Sequence, residues 1–248
     1  MKIGIITISQ DGQHIAKKIC RHFEKAVILK WPDNISLEKF VGEIFNTFDG
    51  IIFIMSLGIV VRVIASCIKN KHTDPAIVVV DRKARFSISA LSGHEGGANK
   101  LTISVANIIG AEPVITTASE SKKNIIIGLG CRREIKKQEI KQAVNYGLSA
   151  INETLKSVRY ISTVDVKSDE EGLKQACIEM DIPLRIVSAD IIKIFKGKYK
   201  KSEIVQKNLG IWGVSEPCAM LTAKNPQLIL QKTKVGKVTI AIAKERFQ

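Results

Sequence analysis

The chain has 248 residues, 45% of them hydrophobic and 25% charged. That composition suits one large core or two smaller ones and excludes an intrinsically disordered chain. Charge is uneven: the net +14 comes from 14 Lys and Arg against 11 Asp and Glu in residues 1–120 and 24 against 13 in the remainder, so the second half suggests a polyanionic partner, either nucleic acid or a small molecule with many carboxylates, with a solvated basic surface as the plain alternative.

Five scattered cysteines, Cys20, Cys67, Cys131, Cys177 and Cys218, form no CxxC pair, which argues against a disulfide framework or a zinc knuckle. The longest apolar runs, 50–56 and 76–80, have strand length rather than bilayer length. The N-terminal run Lys2-Ile3-Gly4-Ile5-Ile6 reads as a first strand rather than a signal peptide. The expectation is a soluble cytoplasmic protein with no membrane partner.

In chain order, residues 3–8 predict a strand. Residues 10–23 predict a helix with Ile15, Ile19 and Phe23 on one stripe, and 26–29 a short strand. Ser36 is the expected cap of a helix that turns Leu37, Phe40, Val41 and Ile44 inward. Strand 51–55 leads through Gly58 into a helix to residue 68. Strands 76–80 and 86–89, a glycine-rich turn at 92–99, a helix over 98–109 and a strand at 113–116 complete the first half. Continuous apolar strands alternating with helices predict a Rossmann-like parallel sheet covered on both faces. Ligands of such sheets bind beyond the carboxyl ends of the strands, so residues 55–58, Asp81-Arg82 and 92–99 are expected to converge on one crevice.

Residues 119–124 are the expected linker between an N-terminal domain, 1–118, and a C-terminal one, 125–248. The second domain opens with a strand running into a turn over 125–133, followed by helix 139–151, strand 160–164, helix 169–180, strand 183–187 and a basic loop at 196–201. A helix from Ser215 through Leu221 and a terminal hairpin around Val235-Gly236 close it. An α/β domain with a mixed sheet is predicted there.

The sharpest chemical signal is Ser92-Gly93-His94-Glu95-Gly96-Gly97-Ala98-Asn99. Its glycines permit positive φ and close approach to a ligand, and the following helix start offers amides to an anion. His94 can exchange a proton near neutral pH and Glu95 is a second acid–base candidate, although a helix-start acid is its simpler role. A Ser92–His94–Asp81 triad can be drawn, but no Gly-x-Ser-x-Gly elbow supports it. Arg62, in an otherwise apolar helix, either snorkels to solvent or grips a carboxylate. Gly128-Leu129-Gly130-Cys131-Arg132-Arg133 lacks the third glycine of a dinucleotide fingerprint and reads better as a basic turn for carboxylates. Cys131 beside two arginines could hold a lowered pKa. The polar groups of Asp165-Val166-Lys167 and Ser215-Glu216 have capping as their simplest role.

Together these segments resemble the cobalamin biosynthesis G family, the cobalt-precorrin-5A hydrolases. The match runs through Gly58-Ile59-Val60-Val61-Arg62, 73–81, 92–94, 96–99 and 113–118 in the first half, then 127–133, 165–167 and 213–217 in the second. The resemblance implies a hydrolase acting on a carbon–carbon bond in anaerobic cobalamin biosynthesis. The implied reaction opens the ring-A δ-lactone of cobalt-precorrin-5A and releases acetaldehyde, giving cobalt-precorrin-5B. It implies His94, Glu95 and Ser92 as catalytic residues. It implies substrate contacts from Gly58, Arg62, Asp81, Arg85, Gly93, Gly96, Gly97, Asn99, Thr116 and Thr117, and from Gly130, Cys131, Arg132, Arg133, Asp165, Lys167, Ser215 and Glu216.

No cofactor or metal of the protein's own is implied, since cobalt arrives with the tetrapyrrole substrate. Neighbouring pathway enzymes and a second copy of the chain are candidate partners. Many members carry a middle region where this chain has only six residues between Ala118 and Ile125, so that region is expected to be missing. A non-catalytic corrinoid carrier or chaperone is therefore the first alternative. A basic nucleic-acid-binding protein is the second, opposed by an aromatic content of 5% and the absence of a stacking run or helix-turn-helix signature.

Overall fold

The computed structural model describes residues 1–247. Two compact units divide the chain, Met1–Ser119 and Glu120–Gln248. No described helix is long and apolar enough to cross a membrane.

The first unit runs β1 (Ile3–Thr7), α1 (Gln10–Cys20), β2 (Ala26–Ile28), α2 (Leu37–Ile44), β3 (Gly50–Ile54), α3 (Leu57–Ile64), β4 (Ala76–Val80), β5 (Phe86–Leu91), α4 (Ala98–Ile109) and β6 (Glu112–Val114), and the short helix α5 (Ala118–Ser121) spans the division. The sheet order is β2-β1-β3-β4-β5-β6. Strand periodicity of two sorts its core into two layers. Ile3, Ile5, Ile52, Ile54, Val78 and Val80 pack with α1 and α4 residues Ile19, Leu101 and Val105. Ile6, Ile51, Phe53, Ile77 and Val79 pack with Phe40 and Val41 of α2 and Val60 of α3. Ser9 and Ser36 cap α1 and α2 by accepting from the amides of Gly12 and Lys39.

One expectation needs correction. The sheet is mixed, because β5 is antiparallel to β4, with Val80 opposite Ser87 and Ile77 opposite Leu91. The cause lies in the connection. Only residues 81–85 join the two strands, and a parallel return needs a crossover of about a dozen residues or more. Asp81 closes this turn by accepting from the amides of Arg85 at 2.6 Å and Phe86 at 2.8 Å. The antiparallel strand delivers residue 92 to the edge where β1, β3 and β4 begin.

The second unit runs β7 (Ile125–Cys131), α6 (Lys137–Ala150), β8 (Val158–Val164), α7 (Glu171–Glu179), β9 (Leu184–Val187), α8 (Ala189–Ile194), α9 (Glu203–Leu209), α10 (Ser215–Thr222), β10 (Pro226–Val235) and β11 (Val238–Glu245). Its sheet order is β10-β11-β7-β8-β9, with β7, β8 and β9 parallel and the terminal hairpin antiparallel. That is the mixed sheet expected. Ile125, Ile127 and Leu129 face Ile140 and Val144 of α6 and Leu173 of α7. Val164, Val187, Ile192, Val214 and Cys218 form the second layer. On that side α10 lies against β7 so closely that a Cβ at Gly128 would sit 1.8 Å from the Ser215 carbonyl oxygen. Helices α8 and α9 escape the sequence reading because six and seven residues are too few for a helical period to declare itself.

Candidate functional site

The glycine-rich turn of the first unit is built by backbone geometry. Ser92 takes a left-handed φ of 55° and Gly97 one of 85°, and Gly97 N-caps α4 with no side-chain cap bond. The Gly97 conformation is one that L side chains adopt at a cost, which accounts for glycine there. The first two α4 amides are satisfied within the turn: Ala98 N–H donates to the Ser92 carbonyl at 3.2 Å and Asn99 N–H to the Gly93 carbonyl at 2.9 Å. Among the described residues, the amides of Gly96 and Gly97 meet no acceptor. Ser92 is buried, and its hydroxyl likewise has no hydrogen-bond partner.

Buried Asn99 locks the turn to its surroundings. Its Oδ1 accepts from the Ser89 hydroxyl at 2.8 Å, and its Nδ2 donates to Thr117 Oγ1 at 3.0 Å. The turn therefore joins β5, α4 and the segment leaving β6. Thr116 beside it is exposed. Lys71 donates to Glu95 Oε1 at 2.7 Å, and this hydrogen bond holds the Glu95 carboxyl below its usual range. His94 is exposed at the head of the turn. Asp74 is buried and structural, its Oδ2 accepting from the amides of Lys69 and Asn70 at 2.9 and 3.0 Å.

Four expected contact residues lie elsewhere. Gly58 and Arg62 follow β3, and Asp81 and Arg85 follow β4, at the carboxyl edge of those strands. The turn sits at the opposite edge, a strand length of roughly 16 Å away. Arg62 is exposed and donates to the Gly58 carbonyl at 3.2 Å, the snorkelling outcome. Arg85 Nε donates to Asp81 Oδ2 at 3.0 Å. Burial raises the Asp81 carboxyl, but bonds from Phe86 and Arg85 outweigh it and leave the pKa lowered. No single crevice gathers these residues with the turn, and no Ser92–His94–Asp81 triad forms. The antiparallel β5 is the physical reason for both corrections.

In the second unit, Gly130 and Cys131 end β7, and Arg132 and Arg133 follow it. Arg133 is committed internally, donating to Asp169 at 2.7 Å and to the Val166 carbonyl at 2.8 Å. Lys167 is buried against Glu170 at 3.4 Å. Asp165 accepts from the amides of Val166 and Ala189, pinning the start of α8. Glu216 is buried and staples two segments, accepting from the amides of Lys200 at 2.7 Å and Lys232 at 3.0 Å. Burial pushes the Cys131 thiol up to about 11, against the partial pull of Lys167. It is therefore protonated at neutral pH, contrary to the activated thiolate that two flanking arginines suggested. Ser215 opens α10, buried and with its hydroxyl unpartnered. Arg132 is exposed and makes no ion pair among the described residues, which leaves it as the guanidinium of this turn open to a carboxylate.

Two family profiles match the chain in series. The one described as "Cobalamin synthesis G N-terminal" covers residues 39–120, and "Cobalamin synthesis G C-terminus" covers 125–243. The chain belongs to the cobalamin biosynthesis G family. Its role therefore lies in cobalamin biosynthesis. A cobalt-precorrin-5A hydrolase of Priestia megaterium is 27% identical, the alignment spanning 97% of this chain and 94% of that protein. One from Salmonella typhimurium is 25% identical over 80% of this chain and 82% of that protein. Among solved structures, that of CobE, a protein from the cobalamin biosynthetic pathway, is 21% identical with a TM-score of 0.48, covering 50% of this chain and 92% of that one.

The Priestia alignment runs over 352 positions against the 248 residues here, so that family relative carries sequence this chain lacks. Only residues 121–124 separate the two profile matches. Sequence reasoning missed two members of the turn cluster, Lys71 and Ser89. Neither has a local signature, because each reaches the turn only through strand pairing and the loop before β4.

Proposed function

We propose that the chain is a cobalt-precorrin-5A hydrolase whose reacting centre is the glycine-rich turn of the first unit. The reading is supported above all by one juxtaposition. An exposed imidazole, a buried hydroxyl without a partner and two amides without acceptors occur within six residues of one another, locked by Asn99.

In this reading His94 takes the proton from a water molecule that attacks the lactone carbonyl. The amides of Gly96 and Gly97, with the Ser92 hydroxyl, donate to the oxygen that becomes negative. Opening the lactone frees the hydroxyl on C20. Loss of that proton and cleavage of the bond from C20 to the macrocycle expel acetaldehyde, and the electron pair stays on the cobalt-bearing ring of the substrate. Glu95, ion-paired to Lys71, orients the turn and is the weaker base. Arg132 is assigned to a peripheral carboxylate of the substrate.

Acetaldehyde release from cobalt-precorrin-5A tests the reading directly. His94→Gln is expected to keep the fold, since the side chain is exposed, and to lower turnover by about 10²–10⁴-fold, the usual contribution of a general base. Parent-level turnover by that variant would remove His94 from the mechanism. A parent chain that binds a corrinoid but releases no acetaldehyde would favour the carrier reading, which the shorter sequence motivates.

A further inference from the structure

The second unit carries a basic lobe, residues 189–212, that the proposed reaction does not use. It consists of α8, α9 and the loop between them. The lobe is pinned from inside. Phe195 folds over Gly197, where a Cβ would sit 2.2 Å from its ring, and stacks on Tyr199 with centroids 6.0 Å apart. The Lys200 amide donates to Glu216 at 2.7 Å, and the Ser202 amide donates to the Trp212 carbonyl at 2.8 Å. Lys196, Lys198 and Lys200 alternate with half-buried Phe195, Gly197 and Tyr199 and are exposed, as is Lys207 of α9. Among the described residues none of these four ammonium groups is ion-paired. The helices bury Ile192, Val205 and Leu209 against the core and leave Ile194 and Ile204 outside, 76% and 75% exposed. Trp212, 40% exposed, lies under the Lys201 ammonium, 5.2 Å from its ring centroid.

We propose that this lobe docks the chain onto an anionic lipid surface, with Ile194, Ile204 and Trp212 entering the boundary between headgroups and acyl chains and the lysines lying among the headgroups. Three features select that occupant. Aliphatic side chains so exposed gain by leaving water, and with a tryptophan beside lysines they have the composition of an interfacial anchor. The charge is complementary: residues 189–212 hold six Lys against Asp190 and Glu203. None of the six cations is Arg, and a fluid layer of headgroups asks for charge rather than for the fixed fork that arginine offers a structured partner. Single-stranded nucleic acid suits the lobe less well, because the rings it would stack on are engaged, Phe195 with Tyr199 and Trp212 with Lys201. The proposal goes beyond the hydrolase reading and does not depend on it. It revises the sequence expectation of no membrane partner, which rested on the lack of a spanning run; a peripheral contact needs none.

Flotation of the full-length chain with vesicles tests this. The chain is expected to float with phosphatidylcholine–phosphatidylglycerol vesicles, less so as salt rises, and not with phosphatidylcholine alone. A Lys196→Gln, Lys198→Gln, Lys200→Gln triple variant is expected to bind about a hundredfold more weakly, since each basic residue at an anionic surface is worth about fivefold. An Ile194→Ser, Ile204→Ser double variant is expected to lose at least about tenfold, as burial of one aliphatic side chain alone supplies that much. Lys122, Lys156 and Lys224 are exposed at the opposite edge of the same sheet, roughly 20 Å off and beyond a Debye length of about 8–10 Å. Their triple Gln variant controls for general charge attraction and is expected to stay within about threefold of the parent. In a Trp31→Phe background Trp212 is the one remaining tryptophan, and its emission is expected to move to shorter wavelength on vesicle binding. Circular dichroism and thermal melting establish that each variant is folded.

Absent flotation with the anionic vesicles overturns the proposal, and a gel shift of a single-stranded oligonucleotide by that same protein would give the lobe to nucleic acid instead. Equal flotation with neutral vesicles, parent-like binding by either lobe variant, or an equal loss in the control triple overturns it too. Unmoved Trp212 emission in the bound chain would show that some other surface makes the contact.

Discussion

Glu95 illustrates how a neighbour decides a side chain's chemistry. Sequence alone left it a base or a helix-start acid. The Lys71 hydrogen bond lowers its pKa, so it is ionised at neutral pH with little drive to accept a proton. A folded pKa held below the unfolded one contributes stability that is present above the unfolded value and lost as pH falls through the folded one; for so exposed a carboxyl that contribution is small. Lys71→Ala is expected to move the Glu95 midpoint upward toward its ordinary 4.5, followed by the carboxyl carbon shift in an NMR titration. An unchanged midpoint would show that the pair is not populated in solution. Cys131 makes the converse point: two flanking arginines in sequence suggested a reactive thiol, yet Arg133 turns to Asp169 and burial dominates. Motif residues were legible as types. Their partners, set by long-range pairing, were not.

At the scale of elements, strand and helix periodicity was strong wherever an element was continuous and buried, as in β1, β3, β4 and α4. It was weak for α8 and α9, which are short and edge a basic loop. Strand direction was the important miss. An apolar run such as 76–80 reads the same in either direction of pairing, and only the five-residue connection to β5 makes that pair a hairpin. Gly128 belongs to this scale too, since its missing side chain lets the α10 backbone rest on β7. Gly128→Ala would force a methyl into the Ser215 carbonyl. It is expected to destabilise the chain by about 3 kcal/mol, the upper end of overpacking costs. Urea unfolding measures this, and a change under about 0.5 kcal/mol, the size of an ordinary surface substitution, would mean that α10 does not sit on β7 as described.

For the whole molecule, each unit closes its own two-layer core around its own sheet, which leads us to propose that each folds alone. Fragments 1–119 and 120–248, expressed separately, are expected to give cooperative urea transitions; a fragment that unfolds without a cooperative transition would show that its core is incomplete. By itself the sequence determined the alternation of strands and helices, the buried faces and the family, because these rest on local periodicity and on motif residues adjacent in the chain. Tertiary structure alone decided that the glycine-rich turn opens beside Met1, Phe23 and Lys100 rather than beside Gly58 and Asp81. The direction of one strand sends everything after it to the opposite edge of the sheet, and direction is a property of pairing between distant segments that no local pattern encodes.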